Sequence, residues 1–107
     1  MAQFVDKVIA GNKVAVFSKT YCPYCVKAKN VLAKYEINSI KIVELDELDD
    51  SSQADVIQDY LNKITGARTV PRVFINGKCI GGGDDTARLD RDNQLKDLLK
   101  NAGALTE

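Results

Sequence analysis

Apolar residues along the chain change period from segment to segment, and each change marks an element. Val5, Val8 and Ile9 share one helical face, and Gly11-Asn12 reads as the end of that helix. From Lys13 to Ser18 the apolar run is too continuous for a half-exposed strand, which predicts a strand buried on both faces. Ala28, Val31, Leu32 and Tyr35 recur at i, i+3, i+4 and i+7, the stripe of a second helix. Ile40, Ile42, Val43 and Leu45 predict a second strand. Asp49-Asp50-Ser51-Ser52 then supplies capping side chains for a helix bearing Ile57, Tyr60, Leu61 and Ile64. Val73-Phe74-Ile75 and Lys78-Cys79-Ile80 flank Asn76-Gly77, a hairpin signal because both turn residues need positive φ. Leu95, Leu98, Leu99 and Ala102 form a closing helical stripe.

Strand, helix and strand within about 33 residues make a βαβ unit, so the first two strands should be parallel with a right-handed crossover. With the hairpin added, the expected architecture is one α/β domain over residues 1–107, a four-stranded mixed sheet flanked by helices. No linker, repeat or low-complexity segment interrupts it.

Composition narrows the function classes. An apolar share of 45% is ordinary for a globular chain, and the formal net charge is zero. Neither a nucleic-acid nor an anionic-membrane partner is expected from that balance. No apolar run approaches the ~18 residues of a membrane span, and no secretory leader is visible. Three cysteines are too few, and odd in number, for a secreted disulfide framework, so a reducing cytoplasmic setting is expected. The chain has no His, which removes the commonest general base and metal ligand together. From Glu44 to Asp59 there are seven acids and no Lys or Arg, which reads as a solvated loop and helix start. Lys19, Lys27 and Lys29 surround the first cysteines, and Lys19 is the one expected to matter chemically.

Cys22-Pro23-Tyr24-Cys25 falls where the first strand gives way to a helix pattern. Cys22 should therefore lie at a helix N-terminus, where unpaired N–H groups and the helix dipole favour a thiolate. Such placement lowers a thiol pKa from about 8.5 into a range of roughly 3.5–7.5. Zinc would need four ligands, and beyond this pair the chain offers Cys79 and no His, so no metal is expected. A pair of buried core cysteines stands as the bland alternative, but it would need neither Pro and Tyr between them nor a Lys before them. The favoured reading is a redox pair, with Cys22 the exposed nucleophile and Cys25, one turn inside the helix, the resolving thiol. A C-x-x-C after the first strand of a βαβ unit points to a thioredoxin-like fold. Cys79 reads as a small buried hydrophobe on the hairpin.

Lys19-Thr20-Tyr21-Cys22-Pro23-Tyr24-Cys25 resembles the active-site segment of the dithiol glutaredoxins. Thr69-Val70-Pro71, and Gly81-Gly82 followed by Asp84-Asp85, resemble two further signatures of that family, in the same order around the hairpin. The run from Thr65 to Ile75 is similar to vertebrate cytosolic glutaredoxins. The resemblance implies a glutathione-dependent thiol–disulfide oxidoreductase. Its substrates would be glutathionylated and disulfide-containing proteins, with glutathione as co-substrate. Oxidised glutathione would be recycled by a separate NADPH-dependent reductase, and a monomer is expected.

The same resemblance implies a cis Val70-Pro71 bond beside the thiols, presenting the Val70 backbone to an extended peptide as in strand addition. It places the γ-glutamyl carboxylate of glutathione on N–H groups near Gly82, Asp84 and Asp85, with an Asp side chain, preferentially Asp85, for the ammonium. Lys19, Arg68 and Gln58 would meet the glycine carboxylate, with Arg72 an alternative. Thr69 lies beside them, and Tyr24 would pack against the tripeptide. Tyr21 reads as structural. Two other readings stand beside this one. An iron–sulfur carrier would join two chains and two glutathiones through Cys22, which the stiff Pro23 disfavours. A thioredoxin-type reductase would work without glutathione, although thioredoxins usually carry Trp-Cys-Gly-Pro-Cys and this chain has no Trp.

Overall fold

The computed structural model describes residues 1–106. Helix α1 (Ala2–Gly11) leads into strand β1 (Val14–Ser18), helix α2 (Pro23–Leu32) and strand β2 (Ile40–Glu44). A short 3-10 turn (Leu45–Glu47) precedes α3 (Ser52–Thr65), and the hairpin β3 (Arg72–Ile75) and β4 (Lys78–Gly81) follows. Helices α4 (Gly83–Arg91) and α5 (Gln94–Asn101) close the chain. The sheet order is β2-β1-β3-β4, with β1 parallel to β2 and antiparallel pairing elsewhere, the mixed sheet expected from the pattern.

All five residues of β1 are buried, which is why its apolar run lacks the alternation of a surface strand. Ala15 and Phe17 face the layer of α1 and α3, where they join Val5, Val8, Ile57 and Leu61. Val14 and Val16 face the layer of α2 and α5, with Ala28, Leu32, Leu95 and Leu99. Phe17 meets Phe74 edge-on, with ring centroids 5.9 Å apart and planes at 86°. At the hairpin tip Asn76 and Gly77 have φ of 54° and 81°, the left-handed pair the sequence calls for.

Some expectations change. Leu45 is buried but lies in the 3-10 turn rather than in β2, and Ile40 and Ile42 are part-exposed because β2 is an edge strand. The closing stripe from Leu95 falls on α5 as expected, and a separate helix, α4, precedes it, the two being divided at Asp92-Asn93, where Asn93 takes a left-handed φ of 63°. At the start of α3 Asp50, within the expected capping run, accepts the Ser52 N–H at 3.0 Å, while the N-cap residue Ser51 makes no side-chain cap bond. Cys79 is only half-buried, packed at the margin of the α1/α3 core. Among the described residues no helix is long and apolar enough to cross a membrane.

Because Phe17 is fully buried in the centre of the sheet, Phe17→Ala should cost about 3–5 kcal/mol of unfolding free energy. Urea unfolding checks this, and a loss under about 1 kcal/mol would contradict the packing.

Candidate active site

The end of β1 delivers a three-residue turn, Lys19-Thr20-Tyr21, and then Cys22. The Cys22 N–H donates to the Lys19 carbonyl at 3.2 Å, closing the turn. Cys22 is the N-cap of α2, with extended φ and ψ of −85° and 120°, and its carbonyl accepts the first helical bond from the Val26 N–H at 3.0 Å. Pro23 occupies the first helical position, where a missing N–H leaves nothing unsatisfied and its fixed φ suits the helix. An N-cap commonly carries a side-chain oxygen to receive the free N–H groups of the first turn. Here a sulfur sits in that place.

The two thiols therefore meet different surroundings. Burial pushes the Cys22 thiol up, but the Cys25 N–H and thiol, the Tyr24 N–H and the Lys19 charge together outweigh it, so its pKa lies below the ordinary value. Burial pushes the Cys25 thiol up, and there it prevails: the Lys19 N–H and Ser18 hydroxyl pull the other way, while Cys22 reinforces the rise. Cys25 is fully buried, with its Sγ accepting the Lys19 N–H at 3.4 Å, whereas Cys22 is part-exposed. All three cysteines are free thiols.

Opposite Cys22 the Val70-Pro71 peptide bond is cis, as the resemblance implies, and the Val70 carbonyl lies 3.8 Å from Cys22 Sγ. From there an open groove of about 340 Å³ runs to the N-terminus of α4. Its walls are Tyr24 on one side, Thr69, Val70, Pro71 and Arg72 on the other, and Gly82 to Asp85 at the far end. Tyr24 is 55% exposed over this groove. A hollow of similar size, about 370 Å³, opens at the other end of β1 around Asn12, Lys13 and Asn76, with no thiol in its lining.

The remaining expected residues take other positions. Gln58 is only 6% exposed, and its Nε2 donates to the Arg68 carbonyl at 3.0 Å, so it fixes the segment leading to Pro71. Arg68 lies outside the groove lining and holds Asp59 at 3.2 Å and Asp55 at 3.8 Å. Lys19 makes no ion pair among the described residues, while Lys27 is paired with Asp84 and Lys29 with Glu44. Tyr21 is 70% exposed and so is not the structural residue it reads as.

Two contributors escape sequence reasoning. Asp46 belongs to the acidic stretch read as solvated, yet its carboxylate accepts both the Thr20 N–H, at 3.0 Å, and the Thr20 hydroxyl. It thereby ties the active-site turn to the segment after β2. Gly83 lets α4 lie directly against the start of α2: a Cβ there would stand 2.5 Å from the Tyr24 carbonyl oxygen. Nothing in the local sequence distinguishes either residue from an ordinary loop acid or turn glycine.

A thioredoxin-like sheet with one activated and one shielded thiol at the end of β1 defines a thiol–disulfide oxidoreductase. The glutaredoxin family model matches residues 14–80. Tomato glutaredoxin is 50% identical over 101 residues, 94% of this chain and 90% of that protein. Human glutaredoxin-1 is 44% identical over 106 residues, 98% of this chain and 99% of that protein. Among solved structures, oxidised glutaredoxin 2 from Chlamydomonas reinhardtii is 52% identical with a TM-score of 0.87, covering 97% of this chain and 94% of that one. A buckwheat glutaredoxin–glutathione complex is 39% identical, also at 0.87, covering 98% of this chain and 92% of that one. The chain belongs to the glutaredoxin family.

Two outcomes follow from this geometry. Removing the Lys19 charge in Lys19→Gln should raise the Cys22 pKa and slow its alkylation by iodoacetamide at neutral pH; an unchanged rate would separate Lys19 from the thiolate. Gly83→Ala must move α4 away from α2 and should destabilise by about 1–3 kcal/mol in thermal unfolding. Gly11→Ala, with open space around the new methyl, is the neutral comparison.

Proposed function

We propose that the protein is a glutathione-dependent reductase of protein–glutathione mixed disulfides and, by a second route, of protein disulfides. The observation that carries this reading is the pairing of an activated Cys22 with a groove whose backbone and charged groups suit a short peptide. The glutathione complex of the buckwheat relative supports the choice of peptide.

In the first route the Cys22 thiolate attacks the glutathione sulfur of the mixed disulfide. A Cys22–glutathione disulfide forms, and the protein sulfur leaves as thiolate and takes a proton. A second glutathione thiolate then attacks the glutathione sulfur on Cys22, giving oxidised glutathione and restoring the Cys22 thiolate. In the second route Cys22 attacks a protein disulfide, and Cys25, once deprotonated, attacks Cys22 in the resulting mixed disulfide. The target leaves with both thiols reduced and Cys22–Cys25 is oxidised; two glutathiones reduce it again. Family potentials of about −200 to −230 mV lie near the glutathione poise, so the state of the glutathione pool sets the direction.

Within the groove, Val70 would pair with the tripeptide backbone, as in strand addition. The N–H groups at the start of α4 beyond Gly82, whose own N–H is taken by Asp85, would take the γ-glutamyl carboxylate, with Gly82 allowing close approach. Asp85 is the preferred partner for the ammonium. Lys19 is assigned to the glycine carboxylate; Arg68 would reach it by giving up Asp59, and Gln58 would act through the Arg68 segment it holds. Tyr24, Thr69 and Pro71 supply the packing surface. A reducing cytoplasmic compartment, glutathionylated protein substrates and a separate NADPH-dependent reductase belong to the same reading.

The two cysteine variants provide the test. Cys25→Ser should continue to turn over a glutathione mixed disulfide while losing reduction of protein disulfides. Cys22→Ser should lose both activities. Equal behaviour of the two variants would refute the unequal roles, and turnover without glutathione would favour a thioredoxin-type reductase.

A further inference from the structure

Asp85 stands in the first turn of α4 with both carboxylate oxygens engaged. Oδ2 accepts the Gly82 N–H at 2.9 Å, and Oδ1 is 2.8 Å from Nη2 of Arg88, three residues further along the helix. The Arg72 guanidinium, which reaches Gly82 from the wall opposite Tyr24, adds a second positive charge acting on the same carboxylate. The neighbouring acid offers no freer site, because Asp84 is paired with Lys27 of α2 at 2.8 Å. Each carboxylate at this end of the groove thus already carries a cation from its own chain. A ligand presenting an ammonium here competes with a guanidinium rather than with water alone.

We propose that Arg88 is a specificity-determining residue: it holds the Asp85 carboxylate that the γ-glutamyl ammonium of glutathione would take, and so limits the preference for ligands bearing that ammonium. The proposal rests on the assignment of Asp85 to the ammonium. Only Oδ1 is contested, since Oδ2 is committed to capping α4. The Asp85–Arg88 pair is also partly exposed, with side chains 40% and 56% accessible. Exposed pairs are weak, so the guanidinium is displaceable and its removal should shift affinity by a few fold, not by orders of magnitude. A ligand lacking the ammonium has no use for Oδ1 and should be indifferent to Arg88.

The test is steady-state turnover of a mixed disulfide of a small thiol with either glutathione or its desamino analogue, the moiety that Cys22 receives in the groove, with glutathione as the common reductant. Wild type, Arg88→Gln, Arg88→Lys and Asp85→Asn would be compared. Arg88→Gln should raise kcat/KM for the glutathione mixed disulfide roughly 2- to 5-fold and leave that for the desamino mixed disulfide unchanged, raising the preference for glutathione. Arg88→Lys keeps a cation beside Asp85 and should retain the wild-type preference. Asp85→Asn should erase the preference. Since the two mixed disulfides are compared within one variant, a change in stability cancels from the ratio. If Asp85→Asn leaves the preference intact, the assignment of Asp85 falls and the role of Arg88 with it. If Asp85→Asn erases it while Arg88→Gln leaves the ratio unchanged, the role of Arg88 alone is overturned.

Discussion

The first N–H groups of α2 have no carbonyl partner within their own helix, and those of Tyr24 and Cys25 favour the thiolate of Cys22 at the N-cap, without a formed side-chain cap in this structure. That single arrangement fixes which of two chemically identical side chains is a nucleophile. It depends on the strand before the helix. Because β1 is buried on both faces, its end is an immobile point from which the turn Lys19-Thr20-Tyr21 is projected. Asp46 holds the middle of that turn through Thr20, while the Lys19 N–H holds Cys25 and the Lys19 carbonyl holds the Cys22 N–H. Three short contacts thus pin both thiols to the sheet.

The groove is organised by charges that are already matched within the chain. Arg68 is held by Asp59, Asp84 by Lys27 and Asp85 by Arg88, while Lys19 and Arg72 make no ion pair among the described residues. These pairs lie at the surface and are individually weak. Their effect is on selectivity: a peptide ligand exchanges one set of ion pairs for another, while the backbone of Val70 and the helix start at Gly82 supply contacts that carry no such exchange.

Much of this was legible in the sequence because it rests on local rules. The continuous run Val14-Ala15-Val16-Phe17, the Asn76-Gly77 turn and the Pro23 helix start each express a preference of a few adjacent residues. The cis bond at Val70-Pro71 was legible only through family resemblance, since the local sequence favours trans. What stayed hidden joins residues far apart in the chain. Asp46 reaches Thr20 across 26 positions, Gln58 turns inward to a carbonyl ten residues on, and Gly83 meets the carbonyl of Tyr24. The closing stripe from Leu95 was legible as α5, because its apolar spacing is local. Sequence patterns report which face a residue presents; they do not report which distant polar atom is waiting there.

The central claim is that position alone makes the two thiols of one motif unequal. Selective 13C labelling of cysteine β-carbons in the reduced wild-type protein, followed through a pH titration by NMR, measures both thiols at once. Cys22 should titrate below the ordinary thiol range and Cys25 above it. Overlapping titrations, or Cys25 ionising first, would contradict the account.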